Sequence, residues 1–409
     1  MKILPDIGIN RKLIKSVGLL GVSNIIAQAI AFVTSIFLAW TLSKSDYGYF
    51  RYVIQVGNFI VMFIAAGYAG ALTRFIAAER KKRNAYFSTA MAIVGIILIL
   101  LFPLFLILHI DLLVYVVIVG YSIPMIYNGI IRGFIDYRKI ALFNILRSGL
   151  KLLFVSLIFV FSFLKTPLYI IGVYSFGGWL GIFILETWRK TDIHLYIKGI
   201  SKKILITLTR FSIFSVLSSV FYSSLITVGV IILKQNYGYE VVAEYSMAVT
   251  LTTIYSFVPG AVNTLLMPKV ASVSSEKRIR FLKYSILLNV SYIFFVYILV
   301  IVFGRWGLQV LFEEKYLGAY PFLVIISIGK VFGGVETAFG AFWGGVNKPE
   351  YGAISVGVAA GVNLLSDFFL INIIGSTGVA WGYSFALLST VLTNLVLYNK
   401  YRSSMIFNR

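Results

Sequence analysis

The chain has 409 residues, of which 59% are hydrophobic, 16% aromatic and only 12% charged. An average soluble domain carries about 25% charged residues, so the composition excludes an ordinary soluble protein and predicts an integral membrane protein. The formal net charge is +21 and there is no cysteine, which excludes disulfides, thiolate metal sites and cysteine nucleophiles.

Apolar runs of about 20 residues, long enough to cross a hydrocarbon core of about 30 Å, recur along the whole chain. They predict an all-α polytopic membrane protein with about twelve transmembrane helices. The N-terminal apolar run is too long for the core of a signal peptide and is assigned as the first span. The predicted spans are 14–42, 49–76, 86–109, 112–134, 141–163, 167–188, 207–234, 242–271, 281–304, 318–345, 351–374 and 377–399.

The longest connection between spans is the basic segment "RKTDIHLYIKGISKKILITLTR" near the middle of the chain. We expect it to join two six-helix halves, residues 1–195 and 196–409. A weak internal repeat supports this division, because Asp46-Tyr47 before span 2 corresponds to Glu244-Tyr245 before span 8. Six spans return each half to the same orientation, so the axis relating the halves is expected to lie along the membrane normal.

Positive charge is distributed unevenly between the two sets of loops. The side that holds both termini carries 29 of the 36 Lys and Arg residues. The positive-inside rule therefore predicts that both termini are cytoplasmic. We expect the membrane to be the plasma membrane. No compact basic soluble domain is present, so we expect no nucleic-acid partner.

Several segments resemble one family: the loop "SDYGYF", the helix end "ALTRF", the stretch "FVPGAVNTLLMPKVAS" and the closing "GVNLLSDFFLINIIGSTGVAWGYS". Together they resemble the polysaccharide-biosynthesis branch of the multidrug/oligosaccharidyl-lipid/polysaccharide (MOP) exporter superfamily. The resemblance implies a MATE-like fold and flipping of a lipid-linked oligosaccharide. Lipid II flippases of this superfamily usually carry two additional spans, which makes lipid II a less favoured cargo.

The segment "IRGFIDYRKIALFNILRSGLK" concentrates charge at the ends of spans 4 and 5. One interpretation is that these cations reach the headgroups, with Arg132 and Asp136 forming an i,i+4 ion pair. The other is that Arg147 and Lys151 receive an anionic diphosphate at the inner mouth of a cavity. Arg138 and Lys139 are interpreted as topology determinants only.

Other polar residues inside the spans are also candidates for cargo binding, because a charge facing lipid costs at least about 2.5–3.5 kcal/mol by insertion scales. Lys330 lies well inside span 10, without an easy route to the interface. The predicted substrate-binding residues are Arg51, Arg74, Arg147, Lys151, Lys330, Gln55 and Asn363.

Glu336 and Asp367 are acids placed well inside predicted spans 10 and 11. Each is expected to be protonated, paired with Lys330 or bound to a cation. Exchange among these states predicts coupling to H⁺ or Na⁺, whereas the alternative is a static ion pair with Lys330 that only fixes helix packing. Asp367 also departs from the resembled family, in which a neutral amide is common at this position.

No motif of an enzyme is present: the chain lacks a Walker P-loop, a dinucleotide-binding turn and a His-Glu-x-x-His sequence. We therefore expect no catalytic residue, no metal and no cofactor, and a protein that works as a monomer among membrane lipids. The predicted function is a flippase for a lipid-phosphate- or lipid-diphosphate-linked oligosaccharide, using alternating access. The alternatives are a cation-coupled multidrug exporter of the same superfamily and a membrane-embedded glycan polymerase or glycosyltransferase.

Overall fold

The computed structural model describes residues 11–160, 166–188 and 200–407. The predicted boundary at 195/196 lies outside these residues. The described residues form thirteen α-helices: α1 (Arg11–Thr41), α2 (Lys44–Val61), α3 (Gly67–Ala78), α4 (Arg83–Ile107), α5 (Leu112–Gly133), α6 (Tyr137–Val160), α7 (Pro167–Trp188), α8 (Lys202–Leu251), α9 (Phe257–Ser272), α10 (Ser275–Phe312), α11 (Ala319–Gly345), α12 (Pro349–Ile374) and α13 (Gly378–Phe407).

Ten candidate membrane spans are found among these helices by length and hydropathy. Two of the candidates, Lys202–Asn263 and Pro349–Arg402, run for 62 and 54 residues. At 1.5 Å per residue each exceeds twice the hydrocarbon thickness of about 30 Å, so each has the length for two crossings. The all-α membrane fold is confirmed, and the count of twelve crossings stays a prediction.

Three local breaks bend the helices. A π-helical segment, Met62–Ala66, separates α2 from α3 within predicted span 2. Gly238 interrupts α8 with φ 77°, a left-handed conformation that glycine adopts at little cost, and it falls in the predicted loop 235–241. Gly375, with φ 72°, adopts the same left-handed conformation in the short connection between α12 and α13.

Helix α8 joins the two parts of the chain, here named the N-terminal half (α1–α7) and the C-terminal half (α8–α13). It packs against α2 and α3 on one side and against α11 and α12 on the other. Within the N-terminal half α6 packs on α1 and α7, and within the C-terminal half α13 packs on α11 and α12.

The connection between α5 and α6 differs from the prediction. Lys139 was expected to mark topology only, but its side chain is 4% exposed and its Nζ lies 2.8 Å from Glu186 Oε1 on α7. The Arg132–Asp136 pair of the headgroup interpretation is not observed. Arg132 Nε instead donates to Asn128 Oδ1 at 2.9 Å, and Asp136 Oδ1 accepts the backbone N–H of Lys139. The first turn of α6 needs a side-chain acceptor for its free N–H groups, and Asp136 supplies it.

Candidate functional site

Four contiguous cavities lie inside or between the two halves. Cavity N, of about 450 Å³, lies in the N-terminal half between α2, α5, α6 and α7. Cavity C, of about 370 Å³, lies mainly in the C-terminal half around α11. A bridging space shares Gln55 with cavity N, Tyr222 with cavity C and Ser218 with a groove between α3, α8 and α12. The four cavities are therefore adjacent, and we refer to them together as the chamber.

Cavity N brings together three of the predicted cations, Arg51 from α2 and Arg147 and Lys151 from α6. At 1.5 Å per residue, Arg147 and Lys151 lie about 15 and 21 Å along α6 from its first residue, Tyr137. Both therefore lie more than two helical turns beyond the start of α6, and their position at the inner mouth of a cavity stays a prediction.

No carboxylate is found among the described residues that line cavity N. No ion pair within 4.0 Å involves Arg51, Arg147 or Lys151 in the described part of the chain. The cavity thus collects three positive charges without an internal counter-ion, an arrangement that requires water or an anionic ligand.

Tyrosines hold the Lys151 ammonium in place without neutralising it. Lys151 Nζ lies 2.9 Å from the Tyr121 hydroxyl oxygen, and 4.3 and 4.1 Å from the ring centroids of Tyr121 and Tyr174. Cation–π contacts of this kind stabilise a desolvated ammonium by about 2 kcal/mol. A Cβ at Gly177 would lie 3.1 Å from Lys151 Cγ, so this glycine leaves space for the lysine stem.

Gln55 lies where the two halves meet. Its Nε2 donates to Thr227 Oγ1 on α8 at 3.0 Å, and the residue lines both cavity N and the bridging space. Asn58, three residues further along α2, lines cavity N as well. These amides face the chamber, so they can contact cargo as well as hold helices together.

Arg74 does not join the cations of cavity N. It lines a groove of about 960 Å³ between α3, α8 and α12, together with Arg210 and Glu350. Its guanidinium carbon lies 4.9 Å from the centre of the Phe211 ring. The groove lies at the predicted cytoplasmic end of these helices and leads through Ser218 to the bridging space.

Lys330 and Glu336 both line cavity C, from one face of α11. The alternative of a static ion pair with Lys330 is not observed, since no carboxylate of the described residues lies within 4.0 Å of Lys330 Nζ. The Lys330 ammonium instead lies 5.3 Å from the centre of the Tyr383 ring.

Asn363 and Asp367 line none of these cavities. Both are fully buried in α12, and Asn363 Nδ2 donates to Asp367 Oδ1 at 3.2 Å. Asp367 packs so closely on α13 that a Cβ at Gly382 would clash with Oδ1. Asp367 Oδ2 has no hydrogen-bond partner among the described residues.

The sequence reasoning gave no weight to the tyrosines that line the chamber. Tyr121 and Tyr174 face cavity N, and three more line cavity C: Tyr222, Tyr255 and Tyr383. Tyrosine in membrane helices is enriched at the two interfaces, so its recurrence inside predicted spans 4, 6, 7, 8 and 12 was the available signal.

The helix order and the membrane-embedded chamber define a protein with the fold of MOP superfamily transporters. The sequence model of a family described as "Polysaccharide biosynthesis protein" matches residues 13–274. The chain belongs to this family. No curated protein matches the chain.

Solved structures agree with the assignment of the fold. A lipid II flippase MurJ in an inward closed conformation is similar with a TM-score of 0.74 and 14% identity, covering 93% of this chain and 87% of that one. An inward-facing multidrug resistance MATE transporter of the MOP superfamily is similar with a TM-score of 0.66 and 16% identity, covering 100% and 97%. A MOP superfamily transporter from Pyrococcus furiosus, described as having a binding pocket of reverse polarity, is similar with a TM-score of 0.64 and 14% identity. The match covers 95% of this chain and 96% of that one.

Proposed function

We propose that the protein is a flippase that moves a lipid-diphosphate- or lipid-phosphate-linked oligosaccharide from the cytoplasmic to the outer leaflet. The observation that carries the proposal is the set of three cations in cavity N without a carboxylate among the described lining residues. A diphosphate supplies the missing negative charge, and Arg guanidinium groups bind phosphate oxygens with two parallel hydrogen bonds.

The shape of the chamber fits such a cargo. The groove with Arg74 and Arg210 gives a positively charged entrance at the predicted cytoplasmic side. Cavity N then receives the phosphates, while the hydroxyl-rich bridging space accepts the sugars. The isoprenoid or acyl tail stays in the lipid, and rocking of the halves exposes the head on the other side.

The multidrug-exporter alternative is less well supported by the charges. A cavity that binds cationic drugs needs acidic side chains. Cavities N and C together present four cations and one acid among their described lining residues: Arg51, Arg147, Lys151, Lys330 and Glu336. This balance favours an anionic cargo.

Reconstitution tests the proposal. Proteoliposomes receive an isoprenyl diphosphate that carries an N-acetylhexosamine disaccharide, and protection of the sugar from an external glycan-modifying enzyme reports flipping. We expect Arg147→Gln and Lys151→Gln to slow flipping by about tenfold or more, because each removes a charge-assisted hydrogen bond worth about 1.5–3 kcal/mol.

Matched controls are Arg280→Gln and Lys283→Gln on α10, since both residues are exposed and line none of the cavities. These variants should flip at the rate of the parent protein. Equal rates in all four variants would disprove the role of cavity N.

A further inference from the structure

Cavity C differs in chemistry from cavity N, although the two belong to one chamber. Its described lining contains one cation and one acid, Lys330 and Glu336, so its formal charge sums to zero. The other polar lining residues are three tyrosines, Tyr222, Tyr255 and Tyr383, together with Gln28, Ser256, Asn263 and Thr337. A polyanionic diphosphate gains more from the three positive charges of cavity N than from this neutral site.

The two charges of cavity C are held apart by the helix that carries them. Lys330 and Glu336 are six residues apart, about 9 Å along the axis of α11, and no ion pair within 4.0 Å forms between them. Two opposite charges that line one cavity without meeting can both be satisfied by a ligand placed between them. Such a ligand must accept hydrogen bonds at one end and donate them at the other.

A buried amide oxygen in the cavity has no hydrogen-bond partner. Asn263 Oδ1 on α9 is buried and has no hydrogen-bond partner among the described residues. A buried acceptor left unpaired costs about 1–3 kcal/mol, so a ligand donor at this position stabilises the complex. The amide oxygen and the Glu336 carboxylate are acceptors, whereas the Lys330 ammonium is a donor.

Glycines keep the wall of α11 open between the charged groups. Gly333 lies between Lys330 and Glu336, and Gly340 follows one turn after Glu336 on the same face. A Cβ at Gly340 would lie 3.7 Å from Glu336 Oε1. On the facing helix α9, a Cβ at Gly260 would meet nothing within 4 Å, so the cavity has unfilled space beside its polar groups.

We propose that cavity C is a sugar subsite, which binds an uncharged sugar unit of the cargo between Lys330 and Glu336. This inference rests on the proposed function, because the sugar arrives attached to the diphosphate in cavity N. Sugar hydroxyls both donate and accept, so one ring bonds to the ammonium at one end and to the carboxylate and Asn263 at the other. The rings of Tyr222 and Tyr383 offer flat surfaces for the apolar face of the sugar.

A neutral subsite makes a definite prediction about sugar charge. An acidic sugar, such as a uronic acid, brings a carboxylate into the same cavity as the Glu336 carboxylate and the unpaired Asn263 Oδ1, both of which are acceptors. Like charges at short distance in a low-dielectric site repel strongly. Glu336→Gln changes the formal charge of the subsite to +1 at nearly constant volume. This variant should therefore bind an acidic sugar more tightly than a neutral one.

Binding in lipid nanodiscs tests the subsite with three probes that share one lipid. These are bare isoprenyl diphosphate, the same lipid with an N-acetylhexosamine disaccharide, and the same lipid with one hexosamine replaced by a uronic acid. We expect the parent protein to bind the neutral glycolipid about tenfold or more tightly than the other two, as a hydrogen bond to a charged group contributes about 1.5–3 kcal/mol.

The variants separate the sugar subsite from the phosphate site. Lys330→Gln and Glu336→Gln should lose most of the affinity gained from the neutral disaccharide, and Glu336→Gln should now favour the uronic acid probe. Arg147→Gln should weaken all three probes by a similar factor, and Lys283→Gln should change none.

The outcomes distinguish the two proposals. Failure of the parent protein to bind bare isoprenyl diphosphate would disprove the proposed phosphate site. Binding of that lipid without any gain from the neutral sugars, or without a change of preference in Glu336→Gln, would overturn the sugar subsite alone.

Discussion

Lys44 Nζ lies 2.5 Å from Glu244 Oε1, and the two residues come from opposite halves of the chain. Nearby, Lys315 Nζ donates to the backbone oxygen of Ala39 at 2.7 Å, and Trp40 Nε1 donates to that of Leu311 at 2.6 Å. All these groups lie at helix ends predicted to face outward. The opposite ends of the halves enclose the groove of about 960 Å³. The structure is therefore closed on the predicted outer side and open on the predicted cytoplasmic side.

Breaking the Lys44–Glu244 pair should favour opening on the outer side. The side chains are 26% and 16% exposed, so the pair contributes up to about 1 kcal/mol, equivalent to about a fivefold population shift. With Ser148→Cys as a reporter in cavity N, Lys44→Ala should speed labelling by an impermeant external thiol reagent. The exchange Lys44→Glu with Glu244→Lys should restore slow labelling. Unchanged labelling in Lys44→Ala would show that the pair does not hold the outer side closed.

The same labelling chemistry checks the orientation, which follows from the distribution of Lys and Arg. The chain has no cysteine, so each introduced thiol reports one loop. Ser45→Cys should react with an impermeant reagent added to intact cells, whereas Ser201→Cys and Ser274→Cys should react only after the membrane is permeabilised. Labelling of all three from outside would reject cytoplasmic termini.

Hydropathy predicted the helices well because the bilayer imposes one length and one polarity on every crossing. Predicted spans 112–134 and 167–188 coincide almost residue for residue with α5 and α7. Helix α10 was underestimated, since it continues beyond the apolar run 281–304 to both sides, where polar residues meet headgroups and water. The π-helical segment Met62–Ala66 was missed because a register shift inside an apolar run leaves no hydropathy signal.

The candidate site was predicted only in part. The spacing of Arg147 and Lys151 on one helix face could be read from the sequence, and the structure adds Arg51 to the same cavity. The separation of Arg74 from this group could not be read, because it depends on how α3 packs against α8. Tertiary packing also decides that Lys139 is buried against Glu186.

Lys139→Gln should reduce stability and leave transport by the folded protein intact. The substitution removes the cation next to Glu186, whose carboxylate also accepts a hydrogen bond from Tyr127. Loss of one partner of a largely buried charged pair costs about 1–3 kcal/mol. A lower melting temperature in detergent, with an unchanged flipping rate per folded molecule, is the expected result. The exposed Lys283→Gln is the control, and a flipping defect without loss of stability would instead place Lys139 in the cargo path.

Arg74→Gln should affect the entry of cargo more than its translocation. Arg74 and Arg210 are exposed in the groove, so they attract an anionic head from the cytoplasmic side over a distance limited by salt. The double variant Arg74→Gln, Arg210→Gln should lower the flipping rate at scarce cargo and approach the parent rate at saturating cargo. The difference in flipping rate between the double variant and the parent protein at scarce cargo should shrink at high ionic strength. A lower rate at saturation would place these residues in the translocation step.

Asp367→Asn tests whether transport is coupled to an ion. Asp367 is fully buried, its Oδ1 accepts from Asn363, and its Oδ2 has no hydrogen-bond partner among the described residues. An isolated carboxylate in this environment is costly, so the group needs a proton or a bound cation, and Lys330 is too far away to serve. Movement of one such charge across the membrane is worth about 2.3 kcal/mol per 100 mV.

The amide of Asp367→Asn keeps the volume and removes the exchangeable charge, so the variant should fold and bind cargo like the parent protein. Flipping by the parent should respond to an imposed proton or sodium gradient, and flipping by Asp367→Asn should not. The parallel variant Glu336→Gln shows whether the acid of cavity C contributes to the response. If collapse of both gradients and of the membrane potential leaves flipping by the parent protein unchanged, neither acid couples transport to an ion, and the Asn363–Asp367 contact only fixes the packing of α12 on α13.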